Sequence, residues 1–218
     1  MASRRRVGAE SSETRVLLLD AAERLMREEG YSAVTTRRLA SEAGVSNQLV
    51  HYYFRTMDDL FLSVMRRNAD INLRRLLRAL ASEQPLRALW ELNSDPDGAR
   101  LAVEFIALAN HRKVINEEAA RHAEQLRALE TEALARILSD RGIDQASIPP
   151  VSLSLLMASV PRTMVMERAM GVSIGHTETE KLVERYLGMF SGTSKTRRRA
   201  LKHPSPRTHL RRVRRESR

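Results

Sequence analysis

At 218 residues with no cysteine, 42% apolar and only 4% aromatic, the chain excludes disulfide scaffolds and thiolate metal sites and favours an all-α core of Leu, Ala, Val and Met. No apolar run reaches the roughly 18 residues that span a bilayer, and Met1-Ala2-Ser3-Arg4-Arg5-Arg6 leads into no apolar secretory segment, so a soluble, cytoplasmic protein is expected. Of the 37 Lys and Arg, 11 lie in residues 193–218 beside a single acid; residues 1–192 therefore carry 26 charges of each sign, and any nucleic-acid affinity there rests on local placement.

Residues 1–11 read as a disordered basic arm. Leu18, Ala22 and Leu25 at i, i+4, i+7 predict a first helix from about Ser12 to Glu29, closed by Gly30. Thr35–Phe54 then reads as two short helices around a tight turn. Leu39, Ala40 and Ala43 stripe the first; Gly44 suits a positive φ past its end. Ser46 is an N-cap for the second, where Val50 and Phe54 face inward and Asn47, Gln48, His51 and Tyr52 are left outward. That is a helix-turn-helix with a polar second helix, the element that reads base edges from the major groove.

Thr56-Met57-Asp58-Asp59 caps a long helix running to about Ala81, the mechanical link from the head to the rest of the chain. Pro85 opens a short helix with Trp90, and Asn93–Gly98 reads as a turn. Helices follow from Ala99 to about Arg112, from Glu117 to about Asp140, from Pro149-Pro150 to Met170, and from Thr177 or Glu178 to Phe190, about nine in all. Residues 12–72 are expected to form the DNA-binding domain, 73–192 a helical-bundle regulatory and dimerisation domain, and 193–218, with Pro204 and Pro206, a disordered basic tail.

The segment Thr35-Thr36-x-x-Leu39-Ala40-x-x-Ala43-Gly44-Val45-Ser46, completed by Val50, Tyr53 and Phe54, resembles the DNA-binding element of TetR-family transcriptional repressors. The resemblance implies a homodimer closed by the last two helices, a double-stranded operator with half-sites about 34–36 Å apart, and release by a small ligand, here expected to be apolar. Asn47 and Gln48, at the N-terminal end of the second helix, are candidates for bases. Thr36, Arg37, Arg38, Ser46, His51, Tyr52 and Arg55 are candidates for the remaining DNA contacts. His51 stands where the family carries Tyr, and Met57 where a Lys opens the next helix; both family positions touch phosphate.

The larger domain carries no G-x-S-x-G, no phosphate-cradling Gly loop and no H-E-x-x-H, so neither a catalytic residue nor a cofactor is expected. His111 and His122 are separated by a helix break, and no metal is expected. Trp90, Phe105, Leu108, Met157 and Met164 are candidates to line an apolar cavity, with Asn110 or His111 as a polar anchor. In the last helix, Leu182, Tyr186 and Met189 form one apolar stripe and Val183, Leu187 and Phe190 another. Two stripes need two partners, the domain core and a second subunit, so the interface is expected among Leu182, Val183, Tyr186, Leu187 and Phe190. Two other readings stand beside the regulator: a helical ligand-binding protein or enzyme with a merely structural head, and a nonspecific DNA binder acting through its tail.

Overall fold

The computed structural model describes residues 12–191, which form helices and no strand; the basic arm and the basic tail lie outside them. The first helix, α1 (Glu13–Glu29), begins where the Ser12 hydroxyl accepts from the Arg15 amide at 3.2 Å. A single 3₁₀ turn (Tyr31–Ala33) leads to α2 (Thr36–Ala43), capped by Thr35. Gly44 takes the left-handed conformation (φ 67°, ψ 32°), and its amide and that of Val45 return to carbonyls of the last turn of α2. Ser46 caps α3 (Asn47–Tyr53), and Thr56 and Asp59 form a reciprocal capping box at the head of α4 (Met57–Leu80).

Beyond the head lie α5 (Pro85–Asn93), α6 (Pro96–Ala109), α7 (Lys113–Asp140), α8 (Pro150–Ala169) and α9 (His176–Ser191). Three of them start earlier than their sequence signals. At α6, Asp95 caps and Pro96 occupies the first helical position, so half of the apparent turn is a helix start. At α7, the fully buried Ile115 draws a first turn with no side-chain cap into the head's core. At α9, the buried His176 bonds Glu167 of α8 at 2.7 Å and anchors the turn ahead of Glu178. α8 runs through Pro161, whose ring is buried, although proline donates no backbone bond there.

Two apolar clusters organise these helices. The proximal one joins α1–α3 and the first turns of α4, and is completed by Leu101, Phe105 and Leu108 of α6 and Ile115 of α7. The distal one joins Leu76 and Ala79 of α4, Leu86 and Leu89 of α5, Leu134 of α7, Met157 of α8 and Leu187 of α9. α4, about 36 Å long at 1.5 Å per residue, is thus part of both. Each fully buried Leu contributes roughly 1.5–3 kcal/mol by leaving water, and Leu39, Leu60 and Leu108 hold head and regulatory helices in one cluster.

Candidate nucleic-acid interface and regulatory cleft

The second helix of the turn motif is fastened by its apolar side. Val50 and Phe54 are buried in the proximal core and Leu49 is half-buried, while Asn47, Gln48, His51 and Tyr52 are exposed together on the other side. Tyr52 stands edge-on to Tyr53, with ring centres 5.1 Å apart, which supports its position. The Ser46 hydroxyl accepts from the Leu49 amide at 3.3 Å, leaving the Asn47 and Gln48 side chains at the helix N-terminus, where backbone amides and dipole favour an anion.

The basic residues divide. Arg37 and Arg55 are exposed, whereas Arg38 is held by Glu29 at 2.6 Å and Glu42 at 3.5 Å. The bond and charge of Glu29 raise the Arg38 guanidinium above its ordinary pKa. Arg24 meets Glu42 as well, at 3.3 Å. Arg38 must therefore exchange carboxylates to reach a phosphate. The half-buried Thr36 hydroxyl donates to the Met57 sulfur at 3.8 Å, so position 57 serves packing rather than charge.

Several contacts tie this head to the regulatory helices. The Tyr31 amide donates to Glu104 of α6 at 2.7 Å. Gly30, in the left-handed half of backbone space (φ 86°), lets that carboxylate approach, since a Cβ there would lie 3.3 Å from it. Arg112, between α6 and α7, pairs with Asp58 of α4. Glu118 of α7, buried, accepts from Arg66 of α4 at 2.8 Å and 3.3 Å, from Arg121, and meets His122 at 3.1 Å. The Arg66 and Arg121 bonds hold the Glu118 carboxyl down from 4.5 to about 2.

A cleft of about 430 Å³ opens between α4, α6, α7 and α8, floored by Leu101, Ala102, Phe105 and Leu126 and edged by Asn68, Asn72, Asn116, His122 and Arg162. The expected cavity residues do not meet there. Phe105 lines it, with Asn110 at its edge. Leu108 is fully buried in the proximal core, Trp90 and Met157 pack in the distal core, Met164 is buried outside the cleft wall, and His111 is exposed on the connection to α7. Apolar spacing marks a buried face without saying which neighbour covers it, hence the misplacement. The residues that sequence reasoning missed are polar. Arg162, the only charge between Pro150 and Met166, was the available signal.

The dimer stripes resolve similarly. Leu187 is buried in the distal core, and Val183 and Phe190 are partly buried against it, so of the residues expected at the interface these three face the chain's own core. Leu182 and Tyr186 are about half exposed, at 47% and 51%, and Leu155, Leu156 and Met166 of α8 and Met170 just past its end are exposed as well. Arg168 to Glu180 and Glu167 to His176 fasten the start of α9 to the end of α8. Among the described residues, no group of three His or acidic side chains is placed to hold a metal ion, and no helix is long and apolar enough to cross a membrane.

Residues 18–64 match the family described as bacterial regulatory proteins, tetR family. An uncharacterized HTH-type transcriptional regulator of Bacillus subtilis (strain 168), YfiR, is 24% identical over 139 residues, spanning 62% of this chain and 67% of its own. Among solved structures, a TetR transcription regulator from Haloarcula marismortui superposes with a TM-score of 0.64 at 18% identity, covering 82% of this chain and 96% of that one. A TetR-family regulator from Rhodococcus reaches 0.67 at 15% identity, covering 83% and 100%. A regulator from Saccharomonospora viridis, in complex with choline, reaches 0.65 at 24% identity, covering 83% and 96%. These structures share the all-helical fold.

Proposed function

We propose that this chain, a DNA-binding transcriptional regulator of the tetR family, is a dimeric repressor that a small ligand releases from a two-fold-symmetric operator. The observation that carries the reading is the exposed polar face of α3. Asn47 and Gln48 have the amide groups that pair with adenine N6 and N7, and helix caps and buried apolar partners fix them in place. Thr36, Arg37, Ser46, Tyr52, Arg55 and an Arg38 released from Glu29 contact phosphate around them, and His51 takes the place of the family's tyrosine.

Dimerisation uses the outward residues of α8 and α9, Leu155, Leu156, Met166, Leu182 and Tyr186, whose exposure in one subunit supports a second apolar partner. Two heads then meet successive major grooves about 34–36 Å apart. A ligand in the cleft presses on Phe105, which also belongs to the proximal core; on the same helix, Glu104 bonds the entry to the helix-turn-helix. A ligand that prefers one setting of α6 therefore biases the spacing of the heads, by no more than its difference in affinity for the two states. The complex of the Saccharomonospora relative with choline supports a small-molecule effector.

The test is selection of preferred sites from a random DNA pool, followed by fluorescence anisotropy. Replacing Asn47, Gln48 and Tyr52 together by Ala removes at least one base contact worth about 1–3 kcal/mol, so affinity for the selected site falls by at least about fivefold. Undiminished specific binding by a folded triple variant rejects the assignment. Removing residues 193–218 lowers the salt dependence and retains the preference; an intact chain that selects no preferred site and loses its binding on that deletion favours a tail-driven, nonspecific binder instead.

A further inference from the structure

The cleft has a polar annex. An adjoining compartment of about 230 Å³ shares Asn72, Ala102, Leu126 and Arg162 with it and adds Arg127 and Glu130. Arg75 and Asp95, also in this wall, pair at 2.8 Å and neutralise each other. Two guanidinium groups, Arg127 and Arg162, then face a single carboxylate, Glu130, which already accepts from the Ser154 hydroxyl at 2.5 Å. Burial pushes the Glu130 carboxyl above the ordinary Glu range, which weakens it further as a counter-ion. Arg127 Nη1 is buried with no hydrogen-bond partner. Burial and the neighbouring Arg127 charge lower Arg162 below the ordinary guanidinium value, against the opposing pull of Glu130.

A desolvated donor with no acceptor costs roughly 1–3 kcal/mol, more when charged, and a guanidinium fork matches a carboxylate in plane and spacing. We propose that Arg127 and Arg162 form an anion subsite that holds the carboxylate of a small amphiphilic acid, with its apolar body lying along Leu126, Ala102 and Phe105. The inference rests on the reading of the cleft as the effector site and replaces a wholly apolar effector with an acid. A wholly apolar molecule leaves both guanidiniums as they stand; a cation adds a third positive charge to an annex that is already net positive.

Calorimetry on the full-length protein tests this with hexanoate, hexanamide, hexyltrimethylammonium and inorganic phosphate. Hexanoate binds at millimolar concentration, hexanamide binds at least about tenfold more weakly for want of charge-assisted bonds, and the ammonium and phosphate give no heat. Arg127→Met and Arg162→Met each weaken hexanoate by at least about tenfold with the helical circular dichroism unchanged. If a Met variant fails to fold, Arg127→Lys or Arg162→Lys, which keeps the charge without the fork, takes its place and still binds more weakly than wild type. Equal binding of the amide, the ammonium or phosphate overturns the proposal. So does no hexanoate binding, or hexanoate binding indifferent to both arginines. Anisotropy on the selected DNA separates the two readings: arginine-dependent hexanoate binding that leaves DNA affinity unchanged supports the subsite and rejects ligand release.

Discussion

Glu118 is buried in α7, yet its main partner Arg66 belongs to α4, the helix that carries the DNA-binding head, so Glu118→Gln probes the tie between the two parts. A carboxyl held at about 2 rather than 4.5 binds its proton about 2.5 powers of ten more weakly, equivalent to about 3.4 kcal/mol. Arg66 and Arg121 are 59% and 63% exposed, and water screens them, so about half of that, 1.5–2 kcal/mol, is expected to reach the folding free energy. For a chain of this size the melting temperature falls by about 2–4 °C per kcal/mol, so Glu118→Gln melts roughly 3–8 °C below wild type at pH 7. Because the folded carboxyl is depressed, its stabilisation is complete above pH 4.5 and disappears as pH falls through about 2. At pH 3 about two fifths of it remains. Guanidinium denaturation of both proteins at pH 7, 5 and 3 measures the gap. Equal stability at pH 7, or a gap that does not narrow between pH 5 and 3, refutes the account.

Gly44→Ala forces a Cβ into the left-handed conformation with nothing within 4 Å to clash, so its cost is backbone strain alone, about 1–2 kcal/mol. Thermal melting is expected to show that loss, with most of it restored by Gly44→Asn; an unaffected Ala variant means the turn relaxes freely. Leu156→Glu and Tyr186→Glu, on exposed faces of α8 and α9, yield folded monomers by size-exclusion chromatography with light scattering. Leu187→Ala instead lowers stability by about 2–5 kcal/mol without first dissociating the proposed dimer, since Leu187 is buried in the chain's own distal core. Dissociation of the Leu187 variant, with dimers persisting in the other two, reverses the assignment of the two stripes.

The helix starts at Ser12, Thr35, Ser46 and Thr56, the turn at Gly44 and the polar outer side of α3 were all legible in the sequence. Caps, a left-handed glycine and an i, i+4 apolar pair such as Val50 and Phe54 act within one or two turns of chain. The candidate base-reading residues follow directly, because burying one side of a seven-residue helix exposes the other.

Choices among distant neighbours needed the tertiary structure. Phe105 and Leu108 were recognisable as inward-facing, but only packing sends Leu108 into the head's core and sets Phe105 between core and cleft. The two stripes of α9 were visible, while the distal core selects Val183, Leu187 and Phe190 and leaves Leu182 and Tyr186 outside. Arg127 and Glu130 lie in a charge-rich stretch of α7 with no local mark of a site, and only α8 brings Arg162 against them. Local hydrogen bonding and periodicity determine where helices begin and which side is apolar. Which helix meets that side, and which charges lose their water there, depends on contacts tens of residues apart that no local pattern encodes.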